Sequence, residues 1–294
     1  MSPAASLLPR CTFPPAGTAV ACAVSGGADS TALLALAVAA GLSVTAIHVD
    51  HGLRAGSAAE AEVVRANALH LGAAFRAERV HLPDGPNLEA RAREARYAAL
   101  PPGVLTGHTA DDQAETVLVN LLRGAATSGL AAMRPGHRHP LLALRRAETA
   151  GLCDDLRLPV VHDPSNTDPR HVRNRVRSEL LPLMEQVSHR DLVPVLTRQA
   201  ALARDDDDFL DGLAAVLDPT DARALAAAPL ALARRAVRRW LTGAHPPDSA
   251  TVERVLAVAR GESIATEVGG GRSVKRHRQR LSLDPDERGG QRVT

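Results

Sequence analysis

Between residues 18 and 122, short apolar runs alternate with helix-like stretches, and this alternation is the strongest constraint on the fold. "TAVACAV" (18–24), "SVTAIHVD" (43–50), "AAFRAERV" (73–80) and "GVLTGH" (103–108) each have the length and small or β-branched content of a buried strand. "STALLALAVAA" (30–40), residues 57–71, "NLEARAREARYAAL" (87–100) and "DDQAETVLVNLL" (111–122) read as the intervening helices, with Asn87 suited to an N-cap. Strands that alternate with helices make parallel βαβ units, so the expected class is α/β, a parallel sheet with helices on both faces.

The pattern changes after residue 125. "GAATSGLAAMRPGHRHP" is punctuated by Gly and Pro and reads as a loop, followed by a helix near 148–156. The polar turn "HDPSNTDPR" (162–170) then leads into the helix "VRNRVRSELL". From about residue 186 the chain is Ala/Leu/Arg-rich and mostly helical as far as Gly261. A Gly-rich turn at 269–271 precedes "RSVKRHRQRLSL", whose alternation predicts a short β element. The expectation is therefore a first domain over 1–185 and a smaller, mostly helical one over 186–294.

The end of the first strand carries the chemistry. Ser25, Gly26, Gly27, Ala28, Asp29 and Ser30 occupy the first βα turn, where open parallel sheets bind their ligands. Glycines let backbone approach an anion, and the N–H groups of the turn and the helix start attract negative charge. Ser25 and Ser30 add hydroxyls. Asp29 would repel phosphate by itself and fits a phosphate site through a bridging Mg²⁺. No lysine follows the loop as a Walker motif requires, and GxGxxG is absent. Taken alone, the hexapeptide is also compatible with a glycine turn in which Asp29 or Ser30 caps the helix.

Two further stretches end strands. "IHVDHGLR" (47–54) offers His48 and His51 as polar groups at the ligand-binding edge, without the third ligand a zinc site needs. "GHTADDQAET" (107–116) places Asp111 and Glu115 on one helical face, close to His108 and Asp112. Such a face suits Mg²⁺ or a substrate ammonium, or simply acids stabilising a helix N-terminus.

The hexapeptide resembles the signature of the PP-loop (N-type) ATP pyrophosphatases. "SGGADS", "HVDHGLR", "NLEARAREARYAAL", "GHTADDQAETVLVNLLRG" and "DPSNTDPRHVRNRVRSELLP", in order over residues 18–185, resemble the tRNA(Ile)-lysidine synthetase family. The resemblance implies a Rossmann-like PP-loop ATPase fold and a ligase. ATP would adenylate the wobble cytidine of an isoleucine tRNA with a CAU anticodon, and free lysine would displace AMP from C2 to form lysidine. It implies an ATP site at Ser25–Ser30 with His51 and His108, Asp29 as the Mg²⁺ ligand, and Asp29, Asp111, Asp112 and Glu115 as catalytic acids. Arg123, Arg173, Asn174 and Arg177 match family positions, and the spacing of Arg173 and Arg177 puts both on one helical face, able to grip triphosphate or tRNA. "GLAAMRP" and "HPLL" depart from the family pattern, with His139 where arginine is usual. The resemblance also implies a homodimer, and a chain without the additional C-terminal domain of longer family members.

The formal net charge is only +2, so RNA must be attracted by local patches. "ARRAVRRW" (233–240) and "GRSVKRHRQR" (271–280) supply them, the second through Arg272, Lys275 (the one lysine of the chain), Arg276, Arg278 and Arg280. With 2% aromatics, phosphate contacts and shape would outweigh base stacking; Tyr97 and Trp240 read equally well as core. The acidic run "RDDDDFLD" (204–211) reads as a solvated helix face turned from RNA. Cys11, Cys22 and Cys153 form no CxxC pair, which speaks against zinc, iron–sulfur or disulfide frameworks and against the runner-up, a PP-loop tRNA thiolase. A non-catalytic RNA-binding module of the same fold is a third reading, and a small-molecule synthetase a fourth. No stretch resembles a secretory signal or a membrane span, so the expected setting is the cytoplasm.

Overall fold

In a computed structural model, residues 3–50, 57–80, 95, 98–161, 168–243 and 245–285 are described. His51, Asn87, Tyr97, most of the expected 87–100 helix and residues 162–167 of the polar turn lie outside them. The chain divides into two compact units, Met1–Leu202 and Ala203–Thr294.

The first unit begins with β1 (Ala19–Ala23), α1 (Ala28–Ala39), β2 (Ser43–Asp50), α2 (Ser57–His70) and β3 (Ala74–Arg79). The strands form a parallel sheet in the order β1-β2-β3, with Ala23 opposite Ile47 and Ala46 opposite Phe75. The chain then returns to the other edge of β1. There Leu105 receives the Ala23 N–H at 2.9 Å and donates its own N–H to Ala21 at 2.9 Å. The expected fourth strand is thus one bridge rather than a ladder, and the Thr106 N–H, on the side away from β1, meets the Arg138 carbonyl at 2.9 Å. The return leaves β1 flanked on both sides, and its carboxyl end becomes the point where strand order reverses, the place ligands occupy in such sheets.

With few aromatics, the core is built from Leu, Val and Ala. Val24, Val44 and Ala46 pack with Leu33, Leu34 and Leu36 of α1, and with Leu152 and Cys153. Each of these three α1 leucines is fully buried, and truncation to Ala would cost ~2–5 kcal/mol. Ile47, on the opposite face of the sheet, meets Leu100 and Val104. The remaining helices of this unit are α3 (Ala110–Leu122), α4 (Thr127–Leu130), α5 (Arg146–Asp155), α6 (Val172–Arg175) and α7 (Leu181–Ser188). A π-helical turn, Val176–Leu180, joins α6 to α7. A second cluster locks α3, through Ala110, Ala114 and Leu118, to Val176, Leu181 and Leu192. The division between units falls within α8 (Val193–Ala215).

The second unit contains α9 (Ala222–Ala227), α10 (Leu230–Leu241) and α11 (Ser249–Arg260), followed by β4 (Ala265–Gly269), β5 (Arg272–His277) and β6 (Arg280–Pro285). Leu225, Val237, Leu256, Val274 and Leu281 form its core. The expected short β element is a three-stranded antiparallel meander. The acidic run is not wholly a solvated face: Asp207 is 5% exposed and accepts from Arg235 Nη1 at 2.7 Å, while the same nitrogen reaches Asp211 at 2.6 Å. Burial of Asp207 is tolerated because it is paired. Among the described residues, no helix is long and apolar enough to cross a membrane.

Candidate functional site

The Ser25–Ser30 loop stands at the carboxyl end of β1, where strand order reverses. Gly26 has φ +92°, and a Cβ there would meet Val161 Cγ2 at 2.7 Å, so only glycine fits. Ser30 Oγ donates to the Gly27 carbonyl at 2.9 Å and accepts from the Ser25 N–H at 3.2 Å, which closes the loop on itself. Gly27 is the N-cap of α1 and contributes no side-chain cap. The N–H groups of Ala28, Asp29 and Ser30 therefore form an uncapped first turn, available to an anion.

Gly107 brings the next segment against this loop. A Cβ on it would lie 2.6 Å from the Asp29 carbonyl oxygen and 3.0 Å from the Ser30 Cα, both backbone atoms that cannot yield. Beyond it, α3 opens with a capping box: the Asp112 carboxylate accepts from the Thr109 N–H at 2.9 Å and from its hydroxyl at 3.0 Å.

The acids are joined by arginines. Glu115 is 1% exposed and accepts from Arg146 Nη2 at 3.1 Å, Arg173 Nε at 2.9 Å and Arg177 Nε at 2.7 Å. Asp112 Oδ1 faces the same three guanidiniums, Arg146 at 3.1 Å, Arg173 at 3.2 Å and Arg177 at 3.8 Å. Arg146 also reaches Asp29 Oδ2 at 3.5 Å, and the Thr149 hydroxyl donates to Asp29 Oδ1. Three carboxylates thus face three guanidiniums, a balance that makes this degree of burial tolerable. Burial raises the Asp29 carboxyl pKa, as does the neighbouring Asp112, against the opposing pull of Thr149 and Arg146. Burial also pushes Asp112 up, but Arg146, Arg173 and the Thr109 N–H outweigh it and hold that carboxyl below its ordinary range.

Asp111 faces elsewhere on α3. Its oxygens accept from the Arg145 guanidinium, at 3.2 Å each, and from the Arg146 N–H at 2.8 Å, pinning the start of α5 to the start of α3. His108 joins His139: both Nδ1 atoms lie on the Thr106 hydroxyl, at 2.8 and 2.7 Å, with the rings edge to face at 5.1 Å. Burial lowers the His139 pKa. His48 is 3% exposed and its Nδ1 donates to the Val24 carbonyl at 2.9 Å, so it anchors the approach to the loop rather than lining the open edge.

The structure therefore gathers Asp29, Asp112, Glu115, Arg173 and Arg177, with Asp111 and His108 on the flanks. Arg123 is not among them: it is the exposed C-cap of α3, about 12 Å along the axis from Glu115. Arg272, Lys275, Arg276 and Arg278 belong to the second unit, on β5 and the turn after it. Sequence reasoning missed Arg145, Arg146, Thr149 and the close approach at Gly107. The available signal was "RRAET" (145–149), two arginines just ahead of the helix expected near 148–156, a place where positive charge is disfavoured unless carboxylates oppose it.

Mg²⁺ is commonly held by one or two carboxylates together with substrate phosphates, and Asp29, three-quarters covered beside the uncapped helix start, fits that role. Among the described residues no group of three or more His, Cys, Asp or Glu could hold a metal without such help.

Comparisons with known proteins agree with this geometry. A PP-loop domain model matches residues 7–184, and a TilS substrate binding domain model matches residues 221–282. The tRNA(Ile)-lysidine synthase of Nocardia farcinica is 44% identical over 92% of this chain and 93% of its own length. The enzyme of the same name from Mycobacterium leprae is 43% identical over 82% of this chain and 81% of its own. Among solved structures, the U34-tRNA thiolase NcsA from Methanococcus maripaludis superposes with a TM-score of 0.51 at 20% identity, over 64% of this chain and 73% of its own, which shows a shared fold. On the extent of these matches, the chain belongs to the tRNA(Ile)-lysidine synthase family.

Proposed function

We propose that this chain performs the reaction for which its relatives are named: ATP-dependent joining of free lysine to C2 of the wobble cytidine in an isoleucine tRNA with a CAU anticodon. The cytidine O2 attacks the α-phosphate of ATP and pyrophosphate leaves. The lysine amine then attacks C2, AMP departs, and the amine proton passes to solvent. The setting would be the cytoplasm, where substrate tRNA is found.

One observation supports this most: an uncapped helix start and an exposed Ser25 hydroxyl stand at the point of strand reversal, tied through Arg146 to a charge-balanced cluster. In this reading the first-turn N–H groups of α1 hold the polyphosphate. Asp29 would hold Mg²⁺, which neutralises phosphate charge and so makes pyrophosphate a better leaving group. Arg146, Arg173 and Arg177, each about one-third exposed, would turn their free edges to the phosphates as charge moves onto them. Asp112 and Glu115 enter as positioning residues, because their oxygens already receive these guanidiniums. Asp111 fixes α5 and hence Arg146.

The chain's own cysteines do not favour a thiolase reaction. Burial pushes the Cys22 and Cys153 thiols up to about 12 and Cys11 to about 11, far from the thiolate such chemistry needs. The decisive assay measures pyrophosphate release from ATP and Mg²⁺ with the transcribed tRNA, alongside incorporation of labelled lysine. Stoichiometric RNA-dependent release and incorporation is the expected result. Release without incorporation would refute lysine as the nucleophile, and no release from folded protein would refute the adenylation step.

A further inference from the structure

The basic run "RSVKRHRQR" (272–280) looks in sequence like a continuous phosphate-binding strip, but most of its charge is spent inside the second unit. Arg272 donates to the Leu241 carbonyl at 3.3 Å, and Lys275 pairs with Asp284 at 3.4 Å. Arg280 pairs with Asp218 at 2.9 Å. Arg276 lies over Gly261 and donates to Gln279 Oε1 at 2.7 Å. Arg278 differs: it is exposed, and its guanidinium has no hydrogen bond or ion pair to any described residue.

The backbone at this position is also unusual. His277 pairs with Arg280 across the β5–β6 hairpin, so Arg278 and Gln279 form a two-residue loop. Both have positive φ, +46° and +66°, the pattern of a type I′ turn. Such turns strongly favour Asn-Gly, and an arginine there holds its Cβ against the carbonyl in a left-handed conformation. Several contacts enforce it. The Ala222 N–H donates to the Gln279 carbonyl at 3.0 Å, the Leu281 N–H donates to the Thr220 carbonyl at 2.7 Å, and Arg276 holds the Gln279 side chain. A strained residue held by its surroundings is a marker of function. The docking at Ala222 also brings the tip beside the first turn of α9, where Arg223 is exposed with a guanidinium equally without partner among the described residues.

We propose that the hairpin tip is an RNA backbone contact in which Arg278, assisted by Arg223, binds tRNA phosphates, while Arg272, Lys275, Arg276 and Arg280 shape the hairpin. The inference rests on the tRNA substrate proposed above. It replaces a diffuse basic strip by two guanidiniums, and it predicts that the tip gives up fold stability for RNA affinity.

The test uses the full chain, transcribed isoleucine CAU tRNA and the variants Arg278→Gly, Arg278→Lys and Arg223→Gln, with binding measured by anisotropy at several salt concentrations. Arg278→Gly should weaken binding about fivefold and reduce the slope of log affinity against log salt by about one phosphate contact. The same variant should melt about 2–4 °C higher, because glycine relieves the left-handed strain. Arg278→Lys should keep most of the affinity, and Arg223→Gln should lower it further when combined with Arg278→Gly. At subsaturating tRNA, pyrophosphate release by Arg278→Gly should fall in step with its affinity, through a raised KM for tRNA. Unchanged affinity and salt slope in Arg278→Gly, in a chain whose parent binds tRNA, would overturn this inference and leave the proposed reaction standing. A parent chain that does not bind the tRNA would overturn both. Weaker binding with an unchanged salt slope would also overturn it, pointing to a contact other than phosphate.

Discussion

Replacing Glu115 by Gln tests whether that carboxylate organises arginines or captures substrate. The side chain is 1% exposed and receives Arg146, Arg173 and Arg177 at 2.7–3.2 Å. Glu115→Gln keeps the shape but leaves three guanidiniums facing only Asp29 and Asp112. Removing one partner of a buried ion pair costs ~3–5 kcal/mol. Here the arginine side chains are 30–35% exposed, and water on their open edges lowers the figure to roughly 2–3 kcal/mol. For a unit spanning Met1–Leu202, this corresponds to a melting midpoint lower by about 4–12 °C. Differential scanning calorimetry at neutral pH measures it. Adding Arg177→Met removes one of the stranded cations and should recover part of the loss, as a double-mutant cycle would register. A midpoint within about 1 °C of the parent, together with loss of lysine incorporation, would refute the reasoning and place Glu115 against the substrate.

Further tests address the loop, its neighbours and the thiols. Gly107→Ala should lower the rate of pyrophosphate release at least about tenfold, since its Cβ drives into the Asp29 and Ser30 backbone; release at the parent rate would show that the loop yields. Asp29→Asn should abolish release yet melt no lower than the parent at neutral pH. The raised folded-state pKa of Asp29 means that the folded state binds more protons than the unfolded state, so its contribution to stability falls as pH rises through the carboxylate range. The difference between Asp29→Asn and parent should therefore shrink on acidification below that range, and a difference that widens would contradict the sign. Asp112 works in the opposite sense: its lowered pKa stabilises the fold above the ordinary carboxylate range, and that contribution disappears as pH falls through the folded value. The triple variant Cys11→Ala, Cys22→Ala, Cys153→Ala should retain lysine incorporation, and in the parent Cys22 and Cys153 should resist iodoacetamide at pH 8; rapid alkylation of either would contradict their burial.

The parts of this molecule that local physics controls were legible in the sequence. The apolar runs at 18–24 and 43–50 and the Ser25–Ser30 loop between them gave β1, α1 and β2, because strand and helix periodicity and glycine punctuation are short-range signals. The spacing of Arg173 and Arg177 placed both on one face, and both reach Glu115. What stayed hidden depends on partners distant in sequence. Arg146 was overlooked because its meaning lies in Asp29, Asp112 and Glu115, on other elements. The strand at 103–108 shrank to one bridge between Leu105 and Cys22, since the extent of pairing depends on how the distant chain returns to β1. Asp207 looked like one of several solvated acids until Arg235 folded against it. The run at 272–280 was legible as positive charge, but composition does not tell a cation paired with Asp218 or Asp284 from one with no partner among the described residues.

The charge-balanced cluster also imposes an order on synthesis. Arg146, Arg173 and Arg177 follow Glu115 by 31, 58 and 62 residues, so at ~5–20 residues per second the full set of counter-ions exists about 3–12 s after Glu115 is made. Until Arg146 and then the arginine helix are made, Glu115 has to remain in water, since a lone buried carboxylate is too costly. The nascent chain can therefore form the nucleotide loop and the first three strands early. The face of α3 that carries Glu115 must wait for the arginine helix before it closes, and a translational pause just after residue 177 would favour productive folding.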